Sequence, residues 1–299
     1  MSEIHEVATG GDDRFARLAC SVGQDAHARV WVADLRSGDL NGPFPIRYEF
    51  GGQRLAVSSC GSCFVTAQWH RGGVWCYDAS TGEELWAITS GFSKVQHLAS
   101  LSGNLMACVL ERGCVHVVSV ADGSVVRTYP NTAFIASDPS GVAVFRRKHA
   151  EKPVGTGLGR LRVDGLESPV RVPDSPVLAA AFDGDSVVLG AMDGTITCVS
   201  GGPGGTERWR VSLGPERLVE LAHSTAAGCF LGLLSDGNSV VRIDPNNGEV
   251  HQLAELPYAQ SRCFSLNAEV MFSSDGRVVS TRDWRVVTAF DFENRDLAS

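Results

Sequence analysis

One pattern of apolar and polar positions returns along the chain: a short apolar strand, a turn ending in glycine, and a second strand. It reads Val30-Trp-Val-Ala-Asp-Leu-Arg-Ser-Gly38, then Val74-Trp-Cys-Tyr-Asp-Ala-Ser-Thr-Gly82, then Val115-His-Val-Val-Ser-Val-Ala-Asp-Gly123. It comes back as Ile196-Thr-Cys-Val-Ser200 and as Val240-Val-Arg-Ile-Asp-Pro-Asn-Asn-Gly248, with weaker copies beginning near Leu161 and Val278. A spacing of about 40 residues is that of four-stranded propeller blades. An apolar run precedes most copies, as at 186–191 and 229–234, and leads through Asp193-Gly194, Asp236-Gly237 or Asp275-Gly276. Asp-Gly between two strands is a hairpin signal, because glycine adopts positive φ at no steric cost. A further apolar stretch lies upstream, for instance at 177–182 and 218–222, which makes four strands per unit. No long segment shows a capped helical period.

The pattern predicts an all-β fold: a single seven-bladed β-propeller domain over 1–299, with four antiparallel strands per blade. The blades fall at approximately 3–50, 51–90, 91–130, 131–172, 173–213, 214–256 and 257–291. Residues 4–9 form the inner strand of the first and 286–290 the outer strand of the last. Ring closure is then expected from packing between those two blades, with no shared strand.

At 73–86 (GVWCYDASTGEELW) the chain resembles a PQQ-type repeat, in which a strand runs into Asp, a turn, Gly and then Trp. Thr206-Glu207-Arg208-Trp209, after Gly205, repeats that ending. Residues 29–38 (RVWVADLRSG) are similar to the last strands of a WD40 repeat. The resemblance, WD40-like or PQQ-repeat-like (quinoprotein-type), covers nearly the whole chain as architecture. The WD40 Gly-His and Trp-Asp dipeptides are absent, and Asp283-Trp284 has the reverse order. Quinoprotein dehydrogenases usually have eight blades, a longer chain and an export signal, so no cofactor residue carries over and no cofactor is expected.

With 43% hydrophobic and 20% charged residues the chain has an ordinary globular composition. Its net charge of −8 argues against nucleic acid as a partner, since neutralising phosphates needs a basic surface. The first ten residues lack an apolar h-region and are not expected to be a signal peptide. No apolar run is long enough for a membrane span. The nine cysteines, mostly inside apolar runs (Cys108, Cys198, Cys229), suit buried thiols in a reducing compartment, the cytoplasm.

Several motifs are of residue types that can carry chemistry. Cys60-Gly-Ser-Cys63 is a lone C-x-x-C in a turn of blade 2, without the helix N-terminus or cation that would lower a thiol pKa, and is read as strand-and-turn filler. The eight histidines form no metal-binding spacing, and only His97 and His223 fall on inner strands. Gly155-Thr-Gly-Leu-Gly159 lacks the third spaced glycine of a dinucleotide loop and reads as a flexible loop. Gly201-Gly-Pro-Gly-Gly205 reads as a turn between outer strands. Catalytic and metal-ligating residues are therefore expected to be none.

Arg146-Arg-Lys-His149, with Lys152 behind it, lies in an unusually long loop between strands at 142–145 and 161–163. The turns between middle strands emerge on one face. Blades 2 to 4 place Trp69, His70, Arg71, Arg112, Arg146, Arg147 and Lys148 there, and blades 1 and 5 to 7 place Asp25, Asp193, Asp236 and Asp275 there. A face split in this way orients a partner. The expected function is a non-catalytic protein–protein interaction scaffold or adaptor rather than an enzyme, whose protein partner has an acidic surface. The alternative is a propeller enzyme or small-ligand sensor using the axial pocket.

Overall fold

A computed structural model describes residues 4–10, 17–22, 29–34, 37, 39–47, 53–68, 72–101, 104–110, 113–130, 132–138, 141–146, 158–162, 165–166, 175, 177–184, 186–200, 206–256, 262–264, 268–273 and 276–289. For strand residues within 4–22 and 132–166, and for 53, 262, 263 and 288, the backbone alone is described.

The strands pair as antiparallel meanders in chain order. The first sheet is β1 (Ile4–Gly10), β2 (Arg17–Val22), β3 (Arg29–Asp34) and β4 (Leu40–Pro45). The second is β5 (Gln53–Val57), β6 (Cys63–Gln68), β7 (Val74–Asp78) and β8 (Glu84–Ile88). Next come β9 (Val95–Leu101), β10 (Leu105–Leu110), β11 (Cys114–Ser119) and β12 (Val125–Pro130). The stretch after it holds β13 (Thr132–Asp138), β14 (Gly141–Arg146), β15 (Leu158–Arg162) and β16 (Gly165–Leu166). Then follow β17 (Val177–Asp183), β18 (Ser186–Ala191), β19 (Thr195–Ser200) and β20 (Glu207–Ser212). After these stand β21 (Leu218–Ser224), β22 (Cys229–Leu234), β23 (Ser239–Ile243) and β24 (Val250–Glu255). The last sheet is β25 (Arg262–Phe264), β26 (Val270–Ser273), β27 (Arg277–Ser280) and β28 (Val286–Ala289).

First strands of successive sheets lie side by side, β5 against β9, β17 against β21 and β21 against β25, so they form the inner ring. The chain ends belong to separate sheets, with β1 at the edge of its own and β28 at the edge of the last, and β1 packs against β25.

This is an all-β propeller, and among the described residues its strands pair into seven four-stranded sheets. In the sheet β13–β16 the fourth strand, β16, pairs with β15 through Leu161 with Leu166 and Arg162 with Gly165.

Burial follows position in the blade. Every residue of β6 and of β10 is buried, because a middle strand is covered on both faces by neighbouring blades. That is why these strands read as continuous apolar runs. The outer strands β8, β12 and β24 are largely exposed.

The turn from third to fourth strand recurs with one geometry. The amides of Gly82, Gly123 and Gly248 each donate to the carbonyl four residues earlier (Asp78, Ser119, Asp244) at 2.9 Å. Positive φ makes glycine suited there, at +74° for Gly123 and +75° for Gly248. Space makes it needed too: a Cβ on Gly123 would lie 2.9 Å from the Trp86 indole, and one on Gly248 2.5 Å from that of Trp209. The last blade departs from the rule, since Trp284 takes the glycine's place at φ 58° with the same bond to Ser280.

Candidate functional site

Of the residues expected to form the basic face, Trp69, His70, Arg71, Arg112, Arg147 and Lys148 lie outside the described residues, as do Asp25 and Asp275. Arg146 ends β14, and its side chain also lies outside them. The strands that flank the long loop run further into it than the sequence suggested: β14 ends at Arg146, and β15 starts at Leu158, taking Leu158 and Gly159 from the glycine-rich stretch. Gly201 to Gly205 lies outside the described residues.

The supporting turns are described. The amides of Gly113, Gly194, Gly237 and Gly276 each close a hairpin on the carbonyl three residues back (Leu110, Ala191, Leu234, Ser273), at 2.9, 3.1, 2.9 and 2.9 Å. In the sequence the residue before that glycine is Arg112, Asp193, Asp236 or Asp275. The two described aspartates serve the turn itself. Asp193 Oδ1 accepts the Thr195 amide at 3.0 Å, which helps hold its carboxyl below the usual range. Asp236 Oδ1 accepts the amides of Asn238 and Ser239, each at 2.8 Å.

A second group of charges lies on the inner ring. Arg54, His97 and Glu220 occupy one equivalent level, each opposite the penultimate residue of its second strand: Ala67, Val109 and Leu233. Arg54 Nε donates to the Gln96 carbonyl of the next inner strand at 2.6 Å. Burial, and then the Arg54 charge, lower the His97 pKa to about 4, so that imidazole is neutral at pH 7. Burial raises the Glu220 carboxyl to about 7, opposed by a bond from the Phe264 amide on the following inner strand. His223, the other histidine expected on an inner strand, lies on β21 with Nε2 3.6 Å from Asp183 Oδ1. Inner strands read from the sequence are mostly Ala, Val, Leu, Ser and Phe, and against that background Arg54 and Glu220 do not stand out. The missed signal was an ionisable residue at the same distance from the end of three inner hairpins.

The third feature is the hairpin at 58–63, between β5 and β6, where the C-x-x-C falls. The backbone closes on itself through Ser58 N to Cys63 O at 2.9 Å and Gly61 N to Ser58 O at 2.9 Å. Cys60 is exposed, and its Sγ lies 2.8 Å from Ser62 Oγ and 3.4 Å from Ser58 Oγ. Ser62 Oγ is also 3.4 Å from Cys63 Sγ, so one hydroxyl touches both sulfurs. The pairing of Val65 with Cys76 and of Cys63 with Asp78 places Cys76 diagonally beside Cys63. The neighbouring Cys76 thiol, together with the Ser62 hydroxyl, brings the Cys63 thiol down to about 6 against its burial, and the same neighbour and burial push Cys76 up. The Ser58 and Ser62 hydroxyls lower Cys60 as well, against its partial burial. Hydroxyls and a thiol thus do what the sequence reading had asked of a helix end or a cation. Among the described residues, no group of three or more His, Cys, Asp or Glu is arranged to hold a metal ion, and no helix is long and apolar enough to cross a membrane.

Blades in a ring of inner strands, joined by short turns, define a β-propeller. No family model matches the chain, and no curated protein matches its sequence. Solved structures do share the fold. A chain of the mitotic checkpoint complex matches at 13% identity and TM-score 0.70, over 95% of this chain and 86% of that one. The β-propeller domain of Cps50 (Swd1) from Myceliophteria thermophila matches at 11% identity and TM-score 0.68, over 96% and 98%. The computationally designed Ika8 protein matches at 17% identity and TM-score 0.61, over 97% and 87%. At these identities the likeness is one of fold, and the PQQ-type resemblance is not shown by it.

Proposed function

We propose that this protein is a non-catalytic scaffold or adaptor, a single propeller over 1–299 that binds a protein partner in the cytoplasm. The observation that supports it is the repeated hairpin closed at Gly113, Gly194, Gly237 and Gly276. One rigid turn presents arginine in one blade and aspartate in others, which is how a scaffold varies its surface without changing its frame. One structure of the same fold belongs to the mitotic checkpoint complex, a setting of protein partners. The seven described cysteines are free thiols, in keeping with a reducing compartment.

The docking face in this proposal bears Trp69, His70, Arg71, Arg112, Arg146, Arg147 and Lys148, and the partner surface is acidic. Replacing Arg146, Arg147 and Lys148 by Glu slows association and flattens its salt dependence, while the melting temperature stays almost unchanged. Surface plasmon resonance with a partner captured under native conditions measures this. Binding that survives the reversal at low salt removes the face from consideration. A second reading, a small-ligand site on the axis, is favoured by Arg54, His97 and Glu220 at one level. A ligand held there loses binding in Glu220→Gln and keeps it in the charge reversal.

A further inference from the structure

We propose that Cys60 and Cys63 are an oxidisable dithiol, in which hydrogen peroxide converts Cys60 to a sulfenic acid and Cys63 closes it to a disulfide. Three thiols from two neighbouring strands meet at one corner of a blade: Cys60 exposed on the hairpin, Cys63 at the start of β6, and Cys76 on β7. Each has a different post. Cys60 is open to solvent, and once ionised it accepts from the hydroxyls of Ser58 and Ser62. Cys63 shares the Ser62 hydroxyl and is buried, so it meets oxidant late and its own neighbour early. Cys76 lies diagonally across from Cys63 in the pairing of β6 with β7 and keeps its proton, which favours the resolving thiolate at Cys63. A thiolate, not a thiol, is the nucleophile in both steps.

The chemistry balances as follows. The Cys60 thiolate attacks one peroxide oxygen; the O–O bond breaks, an S–O bond forms, and hydroxide leaves to take up a proton as water. The Cys63 thiolate then attacks the Cys60 sulfur; the S–O bond breaks, the S–S bond forms, and the departing hydroxide becomes a second water. Two thiols lose two electrons in all, and one peroxide gains them.

The position gives oxidation a structural consequence. As a thiol, Cys60 donates to Asn104 Oδ1 of the next blade at 3.4 Å. Asn104 in turn accepts the Val120 amide through its carbonyl at 2.9 Å, tying the first hairpin of that blade to its outer turn. A disulfide to Cys63 removes the proton that Asn104 receives and draws the sulfur inward. It therefore alters the rim that carries the first hairpins, on the face of the ring opposite the proposed docking loops. The proposal does not depend on those loops.

The test is peptide mapping by mass spectrometry on the full chain, treated with hydrogen peroxide at neutral pH and then alkylated under denaturing conditions. The expected result is a peptide spanning 60–63 lighter by two hydrogens, formed about tenfold faster than oxidation at the buried thiols Cys108 and Cys229. In Cys63→Ser a sulfenic acid accumulates at Cys60 and is trapped by dimedone. In Cys60→Ser, a change at an exposed position, the disulfide is absent. A disulfide between Cys63 and Cys76 instead, or Cys60 oxidising no faster than Cys229, overturns the proposal. The wild-type map decides even if a variant misfolds.

Discussion

The junction of β5–β8 with β9–β12 and that of β17–β20 with β21–β24 are joined by the same device and furnished with different chemistry. In the first, Trp86 Nε1 donates to the Val120 carbonyl at 2.7 Å and its indole covers Gly123. In the second, Trp209 Nε1 donates to the Pro245 carbonyl at 2.9 Å and its indole covers Gly248. The inner ring differs: Arg54 and His97 stand at the first junction, where Ala179 and Glu220 hold the equivalent places at the second. The first hairpins differ too. At 58–63 the chain places Cys60, Ser62 and Cys63, whereas the equally long hairpin at 224–229 has Ala226, Gly228 and Cys229 at the same places. There the Cys229 thiol is raised by burial, while Cys63 is lowered. Blade contact fixes the outer clasp, since only a large aromatic over a bare backbone fills that slot. The inner level and the hairpin tips are released from that constraint, and there the blades diverge.

The largest expected effect comes from breaking what the junctions share. Trp209→Ala and Trp86→Ala each cost about 3–5 kcal/mol in urea unfolding, with Trp86 toward the lower end because it is only partly buried. Gly248→Ala costs roughly 1–3 kcal/mol, since its methyl meets the indole of Trp209. The double variant Trp209→Ala with Gly248→Ala costs less than the sum, because emptying the slot admits the methyl. Strict additivity, or a tryptophan loss under about 1 kcal/mol, shows that the two residues do not share a slot.

A smaller effect sharpens the inner-ring difference through pH. Glu220 is raised from 4.5 to about 7, so its contribution is fully present below about pH 4.5 and is lost as pH rises through about 7. His97 is lowered from 6.5 to about 4, so its contribution is present above pH 6.5 and is lost as pH falls through about 4. The two slopes oppose each other between those limits. Glu220→Gln keeps a neutral group of the same shape. Relative to wild type, it gains stability on going from pH 5 to pH 8, read as the urea midpoint at each. An equal change at both values means that Glu220 is not held protonated by its surroundings.

Legibility in the sequence followed how local each feature is. The outer clasp was readable because a turn glycine and its tryptophan recur four residues apart, at Gly82 and Trp86 and again at Gly205 and Trp209. The repeat is weakest in the copy placed near Leu161, which begins inside β15 and reaches its glycine, Gly165, after a shorter turn than the other copies. The inner-ring level was hidden by bulges. The register slips between Val109 and Leu110 and between Leu218 and Glu220, which takes His97 and Glu220 out of a strict two-residue alternation. The thiol corner was half visible, because the C-x-x-C is local and Cys76 arrives only through the pairing of β6 with β7.

The smallest effect on stability isolates the hairpin difference. Ser62 is exposed and its hydroxyl touches both Cys60 and Cys63, whereas Gly228 at the matching place has none to offer. Ser62→Ala therefore changes global stability by less than about 0.5 kcal/mol, as surface substitutions usually do. It nevertheless withdraws a donor from two thiolates. Depressed thiol pKa values make a contribution that is present above the unfolded value and lost as pH falls through the folded one. Losing the donor moves the folded value of Cys63 up from about 6 and narrows that window. Alkylation by iodoacetamide, followed by mass spectrometry from about pH 5 to about pH 9, reads each thiolate separately. The Cys60 and Cys63 profiles shift to higher pH in the variant, while that of Cys229 stays where it was. A Cys229 profile that moves together with theirs means a general loosening of the ring, and profiles that all stay fixed mean that Ser62 is not what sets the two hairpins apart.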